Sequence, residues 1–248
     1  MSVPLWISET VEQFWQAADG DPQTFPRDLR VPIARALPLT IVLLPRLRVA
    51  AIDAWLREYA GWWSTGIHDR ALRACLIACY GQGVVFLDGS DPEDEQRFSL
   101  AHELAHFLRD YWRVREVVRR RLGEEVLEVL DGQRPPSQIE RAHALLAGMQ
   151  IGVHVHLMDR AEDGQPVTTV IDEAEENADR LALELLAPVA TVLERAKELN
   201  DEDRLNKLTS LLHEAFGLPV EFALQYASAL VRPSYQPDSL MRRLGLRG

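Results

Sequence analysis

The chain is poor in cysteine. Of 248 residues only Cys75 and Cys79 carry thiols, too few for a disulfide framework, so a hydrophobic core must hold the fold. Basic residues are also in deficit, with 27 Lys and Arg against 38 Asp and Glu and a formal net charge of −11. A protein whose main partner is a nucleic-acid backbone carries a basic surface, so the charge argues against DNA as the principal partner and suits an acidic enzyme acting on a basic protein. Long apolar runs are missing too. The longest candidate, Ile41–Leu44 with its flanks, is a strand-length segment, far from the roughly 18 residues of a membrane helix. Met1–Ser8 has neither a positive n-region nor an apolar h-region, and the expected location is the cytoplasm. What remains, 47% hydrophobic and 26% charged residues, is ordinary for a globular protein able to bury a core.

Ser8 can cap a helix running to about Ala18, closed by Asp19-Gly20-Asp21-Pro22. Leu37–Leu44, bounded by Pro38 and Pro45, reads as a strand, and Val49, Ile52, Trp55, Leu56 and Tyr59 have helical spacing over 47–60. A β-hairpin is expected from Leu72–Tyr80 and Val84–Leu87 through Gly81-Gln82-Gly83, and Val84–Leu87 could pair with an extended substrate if it lay at a sheet edge. Cys75 and Cys79, four apart on the first strand, share a face and read as small buried hydrophobes.

The chemistry concentrates in Phe98-Ser99-Leu100-Ala101-His102-Glu103-Leu104-Ala105-His106-Phe107. Asp91 can cap this helix and Pro92 can take its first position, and the pattern continues past Trp112. On a helix, His102 and His106 project from one face, a turn apart, where two neutral imidazoles can share one Zn²⁺. Glu103 between them is placed to act as base on a water at that metal. A buried helix has no structural need for these three polar groups.

Arg113, Arg115, Arg119, Arg120 and Arg121 at the far end read as a solvated face. Ser137 and Glu140 form a capping box for a short helix to about Met149. Ile151–Met158 reads as a strand paired with Pro166–Ile171 across Ala161-Glu162-Asp163-Gly164. His154 and His156 share one face of it, and the commoner fate of such strand histidines is exposure, with a second metal or substrate contact as the alternative.

Two histidines leave zinc short of the three protein donors of a catalytic site. A metzincin extension would place Gly and His where Arg109 and Trp112 stand, so it is absent. The best distant donor is Glu175, on a helix from Asp172 to Ala187-Pro188, where it leans toward the apolar face of Ala178, Leu181, Ala182 and Leu185. The alternative is a capping-box partner for Asp172. Asp179, one turn on, could hydrogen-bond a ligand imidazole and fix its tautomer, while Glu176 suits Arg180 on the outer face.

Arg97-Phe98-Ser99-Leu100-Ala101-His102-Glu103-Leu104-Ala105-His106, then Glu175-x-x-Ala178-Asp179 and Glu184-Leu185-Leu186-Ala187-Pro188, resembles the ImmA/IrrE family of metallopeptidases. The similarity runs from about Leu72 to Pro188. It implies an α+β, zincin-like fold, mainly helical, with a small mixed or antiparallel sheet packed against the His-Glu-x-x-His helix and a C-terminal helical bundle. It implies a zinc-dependent endopeptidase in which His102, His106 and Glu175 hold one Zn²⁺, Glu103 is the base, and the substrate is a helix-turn-helix transcriptional repressor. Residues 1–190 would form the peptidase domain and 191–248 a C-terminal helical region and tail. The 68 residues between His106 and Glu175 hold a helical and hairpin insertion at about 112–170, and Asn177 stands where many relatives have a second glutamate.

Leu205–Phe216, Gly217-Leu218-Pro219 and Val220–Leu230 read as helix, turn, helix, but the second helix offers no Arg or Lys to read bases. A packing or docking role is expected. A donor for the tetrahedral oxyanion is also expected, with Tyr111, His143, His154 and His156 as candidates. The rival class is a non-catalytic zinc-containing regulator that binds a repressor without cutting it, and the intact Glu103 argues against it.

Overall fold

Four strands form one mixed sheet at the middle of a mainly helical α+β fold. The computed structural model describes residues 3–59, 65–138, 140, 152–159, 169–199 and 203–231. In chain order come α1 (Leu5–Ala17), α2 (Arg30–Ala36), β1 (Leu39–Leu44), α3 (Val49–Tyr59), β2 (Leu72–Cys79), β3 (Gln82–Asp88) and α4 (Glu93–His106). A π-helical turn, Phe107–Trp112, then leads into α5 (Arg113–Leu122) and α6 (Val126–Leu130). They are followed by β4 (His154–Asp159), α7 (Thr169–Leu186), α8 (Val189–Arg195), α9 (Arg204–Glu214) and α10 (Val220–Val231).

The sheet order is β1-β3-β2-β4, with β1 parallel to β3 and β2 antiparallel to both β3 and β4. Alternation sends each strand's side chains to two cores. Leu39, Ala74, Leu76, Ala78, Val85 and Leu87 face the larger one, shared with α1, α4, α7, α9 and α10. Cys75, Ile77 and Phe86 face the smaller one under α3, with Val49, Ile52 and Leu56. Leu72 joins that second core although it stands an odd number of residues from Cys75. The register irregularity between Leu72 and Ala74 accounts for the change of parity. Cys75 is buried there and Cys79 half-buried, and burial raises both thiols above their ordinary pKa, as expected of small hydrophobes rather than ligands.

Several local expectations are corrected. The first helix starts at Leu5, so Ser8 lies inside it and its hydroxyl donates to the Leu5 carbonyl (2.9 Å) instead of capping. The β2–β3 turn is Tyr80-Gly81, both at positive φ (50° and 76°), which makes a two-residue turn and places Gln82 and Gly83 already in β3. Because β3 lies between β1 and β2, Val84–Leu87 cannot receive a substrate strand. At the start of α4 the cap position is Pro92 in extended conformation, and the Asp91 carbonyl instead accepts from the Gln96 side chain (2.7 Å). Thr169–Ile171 are the first turn of α7, not a strand, and β4 pairs with β2; the rest of that expected strand, 166–168, lies outside the described residues. The Ser137–Glu140 capping box forms, with Ser137 N–H donating to Glu140 (2.7 Å) and Glu140 N–H to Ser137 Oγ (3.2 Å). The helix expected from it is under way at Gln138 and Glu140, and its continuation from 141 to about Met149, like the tail from Arg232, falls outside the described residues. Of the five arginines, Arg115 departs from the solvated face, as it pairs with Asp131 (2.6 Å) with little exposure of either side chain.

The C-terminal helices share the main core. Phe98 of α4 stacks on Phe222 of α10, ring centres 3.6 Å apart, and Tyr226 donates to the Ala187 carbonyl (3.1 Å) beyond α7. Arg97 donates to the carbonyl of Gly217 (2.8 Å) in the turn between α9 and α10. From the other end, buried Arg27 donates to the Leu185 carbonyl (2.6 Å) while its guanidinium lies over the rings of Trp15 and Phe25. Helices α4 and α7 are thus clamped side by side.

Candidate metal centre

The clamped pair of helices builds the site. Helix α4 is buried all round from Phe98 onward, so a polar group there costs free energy unless it finds a partner. His102 and His106 project from one face toward α7, with Nε2 atoms 3.2 Å apart. Glu175 of α7 comes to meet them, Oε2 at 3.3 Å from His102 Nε2 and Oε1 at 3.6 Å from His106 Nε2. Because α7 begins at Thr169, Asp172 is inside the helix and does not cap it, which removes the capping alternative for Glu175.

A third imidazole completes the group. His156, on β4, stands opposite Leu76 of β2 and therefore faces α4 with it. Its Nε2 lies 3.1 Å from Glu175 Oε1 and its ring stacks on that of His106, centres 3.7 Å apart. The expectation of an exposed strand histidine is therefore corrected, since only 14% of the His156 side chain is exposed. One donor atom each from His102, His106, His156 and Glu175 lie within 4.8 Å of one another. A tetrahedron of donors about 2.05 Å from its centre has edges of about 3.3 Å. Four contacts among these side chains, at 3.1 to 3.6 Å and shared between the two oxygens of Glu175, are near that edge, so the group could hold a metal ion.

The outward nitrogens are held as well. His102 Nδ1 lies 2.9 Å from Asp179 Oδ1, one turn beyond Glu175, and His106 Nδ1 lies 2.8 Å from Asp110 Oδ2. Both contacts turn the Nε2 atoms inward. Asp110 is held in turn by Arg109 (2.9 Å), which also donates to the Ala174 carbonyl (2.8 Å) of α7. Asp110 is missing from the sequence expectations although its position four residues after His106 was a legible signal.

Glu103 is completely buried. Its Oε2 contacts His156 Nδ1 (2.9 Å), and its Oε1 is a buried acceptor with no hydrogen-bond partner among the described residues. Of the other expected donors, Tyr111 accepts a hydrogen bond from the Gly81 N–H (2.7 Å), which ties its hydroxyl to the hairpin turn. His154 is half-buried on the same face of β4 as His156, and burial lowers its pKa. His143 falls outside the described residues.

Electrostatics follow from this packing. Burial disfavours an imidazolium at His102 and His156, but the surrounding carboxylates outweigh it: Asp179 and Glu175 raise His102 to about 9, and Glu103 with Glu175 raises His156 to about 10. Glu175 is held well below the usual carboxylate range: burial would raise it, but the three imidazoles outweigh that effect. Without metal, the two histidines bind protons more tightly folded than unfolded, where His titrates near 6.5. Their stabilisation is full below about 6.5 and disappears as pH rises through 9 to 10. Depressed Glu175 contributes above its ordinary 4.5 and loses its contribution only in acid. Urea unfolding in chelator should therefore show falling stability between pH 6.5 and 10. Metal uptake at pH 7 should release protons, with affinity rising over the same interval, as a pH-indicator titration would register.

No curated protein and no solved structure matches the chain significantly. Residues 63–122 match the peptidase M78 family model, described as the IrrE N-terminal-like domain. That segment carries β2, β3, α4 and α5, and so His102, Glu103 and His106, while His156, Glu175 and Asp179 lie beyond it. Over residues 63–122, which hold the hairpin and the His-Glu-x-x-His helix, the chain is thus similar to the ImmA/IrrE family.

Proposed function

We propose that this protein is a zinc-dependent endopeptidase. The observation that carries it is Glu103, a fully buried carboxylate with one oxygen unpartnered among the described residues, set between His102 and His106 on the helix and 2.9 Å from His156. A structural metal site has no use for such a group. A divalent metal held by His102, His106 and Glu175 would supply an acidified water and a Lewis acid for the scissile carbonyl. Glu103 takes the proton of the attacking water and returns it to the leaving amine as the peptide bond breaks. Asp179 and Asp110 keep the two imidazoles in the tautomer that presents Nε2.

The substrate class is a helix-turn-helix transcriptional repressor. It is supported by the family resemblance and by the charge of −11, which suits the basic surface of a DNA-binding protein. The exposed residues of α10, among them Val220, Glu221 and Leu224, include no cation to read a groove, which favours cleavage of the repressor over competition for its DNA.

The test is to incubate the zinc-loaded chain with small helix-turn-helix repressors, expecting discrete fragments that vanish with chelator and return with zinc. Stoichiometric binding without cleavage, with His156 intact or replaced, would overturn the peptidase in favour of a binding regulator. Glu175→Ala should lower zinc affinity at least a hundredfold; equilibrium dialysis showing wild-type zinc content would remove Glu175 as a ligand.

A further inference from the structure

A hydrolytic metal site keeps one coordination position for water, whereas a site with four protein donors is closed. Here four donors converge. His102, His106 and Glu175 come from the two clamped helices, and the fourth, His156, comes from a different layer, the edge strand β4. We propose that His156 is a displaceable fourth donor that closes the centre of the resting protein, making β4 an autoinhibitory strap.

Two contacts by one ring carry the inference. His156 Nε2 lies among the donors, 3.1 Å from Glu175 Oε1, which is the place of a ligand rather than of a group facing substrate from outside. His156 Nδ1 at the same time engages Glu103 Oε2 at 2.9 Å, so the ring both fills the open position and occupies the base. A single movement of this side chain frees both.

The strap is held in place by more than its histidine. Pairing runs from Ala78↔His154 to Leu72↔Asp159, and Asp159 is gripped at the end of the strand by Arg70. Met158 packs against the main core on the side of His156, and Val155 and Leu157 pack against the core under α3. This places His156 in the centre by strand register rather than by chance rotamer. Opening requires either rotation of the ring out of the cluster or replacement of β4 on β2 by another extended chain. In ligand terms His156 Nε2 departs and one water enters, with no redox change and no co-reactant.

The proposal rests on the metallopeptidase reading, and its test separates the two. The full chain is loaded with Co²⁺, and its visible spectrum is followed during titration with azide, a small anion that enters only an open or water-filled position. The wild type should be unresponsive. His156→Ala, and the volume-conserving His156→Gln should the first fold poorly, should respond saturably and bind zinc at least tenfold more weakly. Cleavage of a peptide library should rise at least tenfold in either variant. An azide response in the wild type, or variants with unchanged zinc affinity, would overturn the strap. So would a fall in turnover number with an open wild-type centre, which would make His156 a transition-state donor. The expected azide and affinity results without cleavage by any form would support the closed centre and refute hydrolysis.

Discussion

Glu103→Gln should lower the rate of cleavage by about 10²- to 10⁴-fold while leaving the metal content unchanged. Glutamine keeps the volume of a side chain that is completely buried, so the change introduces neither cavity nor overpacking. It also keeps an oxygen able to accept from His156 Nδ1, the contact now made by Glu103 Oε2. What it removes is the ability to take a proton, and the three helix-borne metal donors are untouched. Single-turnover cleavage measured alongside metal content separates the two effects. Wild-type rates in the variant would exclude Glu103 as the base, and loss of metal would show it to be part of the coordination.

Phe98→Ala should destabilise the fold by about 3–5 kcal/mol, the usual cost of truncating a fully buried aromatic ring. Phe98 has no exposed surface, and it stacks on Phe222 at 3.6 Å, so its loss opens a cavity where the metal helix meets the C-terminal pair. The effect should reach the site, because Phe98 lies one turn before His102, with 6.4 Å between ring centres. The urea midpoint should fall, and metal affinity with it. Leu224→Ala on the exposed side of α10 is the internal comparison; Leu224 is 44% exposed, and the change should stay within about 0.5 kcal/mol. Equal effects from both substitutions would mean that α10 does not anchor α4.

The part of the site written on helices was legible in the sequence, because helical spacing alone puts His102, Glu103 and His106 together and Glu175 beside Asp179. The part on β4 was not. Alternation says that His154 and His156 share a face, but which face is covered depends on the strand's neighbour, and no local signal names β2 as the partner of β4. The β-branched run Val167-Thr168-Thr169-Val170-Ile171 favoured a strand, yet from Thr169 onward it is helix. Intrinsic preference there is worth fractions of a kcal/mol per residue, and the packing of α7 against α4 outweighs it. The position of Val84–Leu87 inside the sheet depended on the long-range return of β1 alongside β3, which hairpin spacing cannot reveal.

Strand β4 behaves as a parity code. With His154, His156 and Met158 toward α4 and Val155 and Leu157 toward α3, odd and even positions carry incompatible chemistry. A slip of one residue along β2 would present Val155 or Leu157 to the three helix-borne donors and drive two imidazoles into an apolar layer. No intermediate register satisfies either side. Insertions or deletions around β4 should therefore be tolerated only if they spare its phase, and the centre should switch between assembled and broken rather than weaken by degrees.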